Sequence, residues 1–261
     1  MNLLLITQKA PLYLPWFLDQ LVSRARAAGH VVFLTRLSPA HANSMGREAA
    51  RRFAFYGPWA FLVAAGRIAR AHLASRLPAA VRRGRCFSVE NVIARHALAE
   101  WKTGSVNAPG FIDRIRSAGI DLIISVAAPE IFRKELLSAP TRGCINYHTA
   151  LLPRHRGRQP LFWALLEGDA ETGVSVHEMN EYLDDGPIFC RLRVPIQPAD
   201  TLDDLYRKTM RVGVEALMEA VSKVARGERA AIPNPREQAT QHRFPFPGEA
   251  RAFRRAGKRF F

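Results

Sequence analysis

Two short apolar runs near the start, separated by one helix's length, constrain the fold of this chain more than any other feature. Residues 2–6 read as a buried strand. Residues 15–28 read as a helix with Trp16, Phe17, Leu21 and Val22 on its apolar face, closed by Gly29. Residues 30–35 (HVVFLT) form a β-branched run suited to a strand covered on both faces. Strands joined through a helix lie parallel, so this opening predicts a doubly wound α/β class.

The rest of the chain extends that pattern. Residues 121–126 (DLIISV) are the clearest strand, directly after a helix over 109–118 that Gly119 closes. A short helix is expected over 130–137 and strands over 87–93 and 143–147. A helix over 160–166 precedes two strands, 173–179 and 188–194, paired around the turn Leu183-Asp-Asp-Gly186. Asp200 or Thr201 caps a long helix over 202–225, which Gly227 ends. The expected organisation is one domain over 1–226 followed by a basic tail over 227–261 without clear period. Residues 44–85 form an Ala/Arg-rich helical insertion broken at Gly57-Pro58 and Pro78. Within it Phe61, Leu62, Ala65, Ile68 and Leu73 fall on one face, with Arg67, Arg70 and Arg76 between them. That pattern fits a helix packed on the sheet with a solvated basic face, or a basic surface for phosphate groups or anionic lipid.

Composition excludes several classes. With 261 residues, 48% of them hydrophobic, the chain can bury a core and is not disordered throughout. Cys86, Cys144 and Cys190 are too scattered for a disulfide framework or a CxxC metal clip, so a reducing, cytoplasmic setting is expected. The apolar start lacks the basic residues of a signal peptide, and the apolar stretch over 59–66 is far short of the roughly 20 residues a membrane span needs. The net charge of +15 is unevenly placed. Residues 47–85 hold nine arginines against Glu48, and residues 227–261 hold eight Lys and Arg against three acids. The remainder is nearly balanced, unlike a uniform nucleic-acid-binding coat.

Three polar side chains carry the chemistry. Asn146 and His148 are two apart on an extended segment and so face one space, and Asp184 lies in the later turn. A neutral amide can hold a carbonyl oxygen as charge builds on it, and a histidine moves protons near neutral pH. A nearby carboxylate favours the charged imidazole and fixes its orientation. Together they suit attack on a carbonyl carbon by a nucleophile that the substrate brings. Each alone is more commonly a strand-end or turn residue. The spacings of His148, His155 and His177 match no common metal pattern, and Gln8-Lys9 is not a glycine-rich phosphate loop.

Their joint context is informative. Asn146-Tyr-His-Thr-Ala-Leu-Leu-Pro153, then Arg156-Gly157, Pro160 and Trp163, then Gly173-Val-Ser-Val-His177 and Leu183-Asp-Asp-Gly-Pro187 resemble the formyltransferases that use 10-formyltetrahydrofolate. The ordered match runs over residues 121–195. The resemblance implies a Rossmann-like, mostly parallel sheet with flanking helices, a catalytic triad of Asn146, His148 and Asp184, and 10-formyltetrahydrofolate as co-substrate with no metal. It also implies that the folate ring is held around Glu130, Ile131 and Phe132 and by Met179, Asn180, Glu181 and Leu183. Leu152, Pro153, Arg154, Arg156 and Gly157 would line the formyl site and the acceptor's entrance. Ala150, where the family usually has Ser, and Glu178, at a usually apolar or aromatic position, depart from the pattern.

The expected acceptor is a small phosphorylated amine, first an amino sugar or sugar nucleotide, its phosphates meeting Arg154, Arg156 or Arg158. Relatives acting on methionyl-tRNA carry an RNA-gripping C-terminal domain, for which the residues after 226 are expected to be too few, and nucleic acid is not expected as a partner. A methionyl-tRNA enzyme, a 10-formyltetrahydrofolate hydrolase and a non-catalytic basic binding protein are the alternatives. Peripheral membrane contact and a homodimer are left open.

Overall fold

A computed structural model describes residues 1–37 and 45–261. In chain order the elements are β1 (Asn2–Gln8), α1 (Leu14–Ala27), β2 (Val31–Leu37), α2 (Met45–Tyr56), α3 (Pro58–Ser75), α4 (Val89–Arg95), β3 (Ala99–Glu100), α5 (Pro109–Ser117) and β4 (Leu122–Val126). There follow α6 (Lys134–Leu137), β5 (Cys144–His148), β6 (Arg156–Gly157), α7 (Pro160–Glu167), β7 (Glu171–Glu178), β8 (Ile188–Pro195), α8 (Leu202–Ala225), β9 (Gln241–His242) and α9 (Pro247–Arg255). Seven strands form one sheet in the order β3-β2-β1-β4-β5-β7-β8. The first five are parallel, and β7 and β8 close the edge as an antiparallel hairpin. The expected Rossmann-like, mostly parallel α/β class is what the chain forms.

Strand alternation explains how the sheet is covered. Leu3, Leu5, Val32, Leu34, Leu122, Ile124, Ile145 and Tyr147 point to one face, packed under α1, α4 and α8. Leu4, Ile6, Ile123 and Cys144 point to the other, under α5 and α6. The long helix α8 begins at Thr201 with a reciprocal capping box to Asp204, as the sequence predicts.

One close approach fixes β5. A Cβ on Gly213 of α8 would lie 2.5–2.7 Å from the Tyr147 ring, whose hydroxyl donates to the Thr209 carbonyl at 3.0 Å. Helix propensity alone predicts that Gly213→Ala stabilises by about 1 kcal/mol. The buried ring reverses the sign, and a net loss of about 1–3 kcal/mol is expected from the urea midpoint.

Several expectations are corrected. Residues 87–93 do not form a strand. Ser88 accepts the Asn91 N–H as a helix cap, and Val89 and Val92 bury one face of α4. The edge strand is β3, where Ala99 and Glu100 pair with Phe33 and Leu34. Helix over 130–137 is confined to α6, because the Glu130 carboxylate is tied to Ser105, the Val106 N–H and Asn107 and holds the preceding loop. On α3 the buried side is Ala64 and Ala71, whereas Leu62, Ala65 and Leu73 are exposed. Residue 44, the expected start of the insertion, lies outside the described residues.

The segment after α8 is ordered rather than patternless. It pairs β9 with β6, and α9 places Phe253, with Phe260 beyond it, among Phe55 of α2 and Leu161, Phe162 and Trp163 of α7. Phe253 stacks on Phe162 with ring centroids 4.7 Å apart. Aromatic residues spaced irregularly in sequence give no helical period, yet they converge in space.

Candidate active site

The site is built at the end of β5 and in the turn between β7 and β8. Parallel pairing with β4 and antiparallel pairing with β7 fix β5 on both sides, so Asn146 and His148 emerge from a rigid strand. Asp184 has a left-handed backbone, φ 49°, and its carbonyl accepts a bond from the Asn234 amide at 2.9 Å.

These three side chains meet. The Asn146 amide nitrogen donates to Asp184 Oδ1 at 3.2 Å, and His148 Nδ1 faces Asp184 Oδ2 at 3.6 Å. The Gly157 N–H donates to Asp184 Oδ2 at 2.8 Å. His177 joins them, its Nε2 3.4 Å from Asp184 Oδ1 and 3.2 Å from the Asn146 amide nitrogen. Both histidines are oriented by backbone carbonyls. His148 Nε2 donates to the His155 carbonyl and His177 Nδ1 to the Glu178 carbonyl, each at 2.8 Å. A carbonyl only accepts, so each of those ring nitrogens carries a proton.

Burial pushes the Asp184 carboxyl upward, but the His148 charge, the His177 bond and charge and the Gly157 N–H outweigh it and hold it well below the usual carboxylate range. The folded value therefore lies below the unfolded one. The stabilisation this gives is fully present above pH about 4 and is lost as pH falls further. Asp184→Asn is expected to flatten the loss of stability as pH falls from about 4 to 2 by on the order of 2 kcal/mol, read from urea midpoints across that range.

The loop before α7 is locked to the same turn. Arg156 is buried and its guanidinium bonds Asp185 and both oxygens of Asn234. Asp185 is also held by a bidentate Arg236, at 2.7 and 3.0 Å. Gly157 has φ 92°, and a Cβ there would lie 2.2 Å from the His242 carbonyl oxygen, so only glycine lets β6 and β9 approach.

Not every residue expected at the acceptor's entrance is available there. Arg156 is spent on Asp185 and Asn234, a structural cation rather than a free phosphate ligand. Arg154 is exposed but paired with Asp169 at 2.7 Å. Leu152 is buried, its N–H bonded to Ser175 Oγ. Leu152, Pro153 and Arg154 line a cavity of about 270 Å³ with Arg191, Arg193 and Gln238. None of Asn146, His148 and Asp184 reaches it. Among residues expected to hold the folate ring, Ile131, Asn180, Glu181 and Leu183 are exposed, Met179 is half-buried and Phe132 is core. The Glu130 side chain is committed to the 105–107 loop. The Ile131 carbonyl accepts from Asn107 at 2.9 Å.

Sequence reasoning missed Asn234 and Arg236, which come from the segment read as a tail. The signal available was Pro233-Asn234-Pro235, where two prolines hold a polar residue in a fixed backbone. His155 and His242 were not expected together. Their rings bond at 3.2 Å, His155 Nε2 meets Asp169 at 2.7 Å, and His242 lies 3.4 Å from Glu167 and stacks on Trp163. Trp163 thus packs against the final segment.

A doubly wound sheet that gathers a carboxamide, two imidazoles and an ionised carboxylate at the rim of one buried strand defines an α/β protein with an acid–base site. Residues 69–221 match the formyl transferase family model, more than half of the chain, and the chain belongs to that family. Among curated relatives, methionyl-tRNA formyltransferase of Myxococcus xanthus is 40% identical over 132 residues, 51% of this chain and 42% of that protein. The chain spans about half the length of the curated relatives it matches. Glycinamide ribonucleotide transformylase 1 from Symbiobacterium toebii shares the fold with a TM-score of 0.59 at 18% identity, over 87% of this chain and 88% of that one. A sugar 3-N-formyltransferase solved with dTDP and 5-N-formyltetrahydrofolate has a TM-score of 0.60 at 13% identity, over 97% and 79%.

Proposed function

We propose that the protein transfers the formyl group of 10-formyltetrahydrofolate to a primary amine, with Asn146, His148 and Asp184 as its catalytic residues. The observation that carries this reading is the buried Asp184 carboxylate, kept ionised between His148, His177 and Asn146. The amine nitrogen bonds to the formyl carbon, the bond from that carbon to the folate nitrogen breaks, and the folate nitrogen leaves with a proton. His148 Nε2 is committed to a carbonyl. The 3.6 Å gap to Asp184 is too long for a hydrogen bond, so Nδ1 is the ring nitrogen left to face the formyl oxygen. Asn146 directs its amide nitrogen to Asp184 and His177, and the developing oxyanion takes over one of those N–H groups. Asp184 balances the imidazolium and, through water, accepts the amine's proton.

We assign the catalytic unit to residues 1–226, with Asn234 and Arg236 from residues 227–261 clamping its turn. Exposed Ile131, Tyr182 and Leu183 offer apolar cover for a flat folate ring, and backbone groups of 130–132 and 179–183 its polar edge. A cytoplasmic setting fits the free thiols of Cys86, Cys144 and Cys190.

For the acceptor we propose first an amino sugar or its nucleotide. The packing of residues 227–261 against α2 and α7 and the pairing of β9 with β6, which cover the loop that carries Arg156 and Gly157, support a compact acceptor. A methionyl-tRNA acceptor is the second reading, favoured by the identity to the Myxococcus xanthus enzyme. Purified protein with 10-formyltetrahydrofolate and a panel of amino-sugar nucleotides, amino sugars and methionyl-tRNA should release tetrahydrofolate only when an amine is present. Formate release without any amine would replace this reading with a hydrolase.

A further inference from the structure

The family's reaction gives no use to the outer face of α3. A surface helix ordinarily turns one apolar stripe inward and polar residues outward. Here Ala64 and Ala71 already face inward, with Phe61 and Ile68 half-buried beside them. At 100° per residue, Trp59, Leu62, Gly66, Ala69 and Leu73 fall on the opposite side. Trp59 is 78% exposed, Leu62 63% and Leu73 68%. Leu77 and Val81, in the turn that follows the helix, are also exposed apolar residues, Val81 at 60%. Large apolar residues gathered on one exposed face mark an interaction surface.

Charge selects what covers it. No acid occurs between Glu48 and Glu90, while Arg70 and Arg76 flank the stripe and Arg82, Arg83 and Arg85 follow it. Arg70, Arg76, Arg83 and Arg85 are exposed and have no acidic partner among the described residues. A second copy docking on this face by two-fold symmetry would set arginines against arginines, with no carboxylate to relieve them. Nucleic acid would satisfy the arginines but leave the apolar stripe uncovered. A surface that offers both apolar chains and anionic headgroups satisfies both. Trp59, at the amino end of the stripe, has the amphipathic ring that settles at such a boundary. No described helix is long and apolar enough to cross a membrane, so the contact is peripheral.

We propose that the exposed face of α3, with the exposed apolar residues of the turn after it, is a docking surface for anionic lipid bilayers. The apolar stripe enters the headgroup region and Arg70, Arg76 and the 82–85 arginines meet lipid phosphates.

The test is co-sedimentation of the full chain with vesicles of phosphatidylcholine alone or mixed with phosphatidylglycerol, with tryptophan emission recorded in parallel. Binding to the anionic vesicles should exceed binding to the neutral ones by roughly tenfold or more, weaken with added salt, and shift emission to the blue. The double variant W59E/L73E changes only exposed side chains, so its thermal midpoint should match the wild type while vesicle binding falls at least tenfold. R70E/R76E should lose the preference for anionic vesicles. Equal binding to both vesicle types, undiminished binding by W59E/L73E, a dimer in sedimentation that W59E/L73E abolishes, or RNA binding that W59E/L73E retains in place of vesicle binding would each overturn the proposal. No readout depends on formyl transfer, so the two readings fail separately.

Discussion

Asp184→Asn is expected to lower kcat for formyl transfer by about 10²–10⁴-fold with little change in the acceptor's KM, the range for a positioned acid–base group. The substitution keeps the side chain's size and its place beside Gly157 but removes the charge that faces His148 and His177. An amide in that position also presents a donor where the site needs an acceptor. Steady-state kinetics at a temperature where the variant is fully folded, below its lowered thermal midpoint, checks this. A loss confined to KM would mean that Asp184 binds the acceptor instead. Because the carboxyl is held far below its usual range, its titration does not set the acid limb of the wild-type profile above pH about 4.

The largest effect on stability is expected at the neighbouring residue. Asp185→Ala leaves the buried Arg156 guanidinium with only Asn234 for a partner, and an uncompensated buried charge costs about 3–5 kcal/mol. Arg156→Ala is expected to cost less, because Asp185 keeps its bidentate bond to Arg236. Arg236→Ala, at an exposed pair, is expected to cost within about 1 kcal/mol. Urea unfolding should return that order. Equal losses in all three would show that the Arg156–Asp185–Arg236 network does not hold the turn. Since this turn carries Asp184, activity should fall in the same order.

Much of this was legible in the sequence, for identifiable reasons. The β1, α1, β2 opening and β4 were readable because strands buried on both faces leave uninterrupted apolar runs, and α8 because Thr201 and Gly227 punctuate it. The convergence of Asn146, His148 and Asp184 followed from period-2 geometry together with the resemblance carried by the surrounding motifs. Residues 87–93 misled because a seven-residue segment with apolar Phe87, Val89, Val92 and Ile93 looks alike in a short buried helix and a strand, and only the Ser88 cap separates them. Residues 227–261 misled more deeply. Pro245, Pro247 and Gly257 interrupt any helical period among Phe244, Phe246, Phe253 and Phe260, and Asn234 reaches Asp184 across 50 positions. Local patterns cannot carry that pairing. The Arg-rich segment illustrates a third limit. Its amphipathic pattern was visible, but which face turns inward was decided by α3's neighbours, and the leucines turned outward.

The cluster around His148 is proposed to perform formyl transfer, and one measurement tests it. Tetrahydrofolate release should be measured with 10-formyltetrahydrofolate and the best acceptor from the panel, for wild type and His148→Ala. Release should be amine-dependent in the wild type and fall by about 10²–10⁴-fold in the variant at unchanged thermal midpoint. Full transfer by His148→Ala would contradict it.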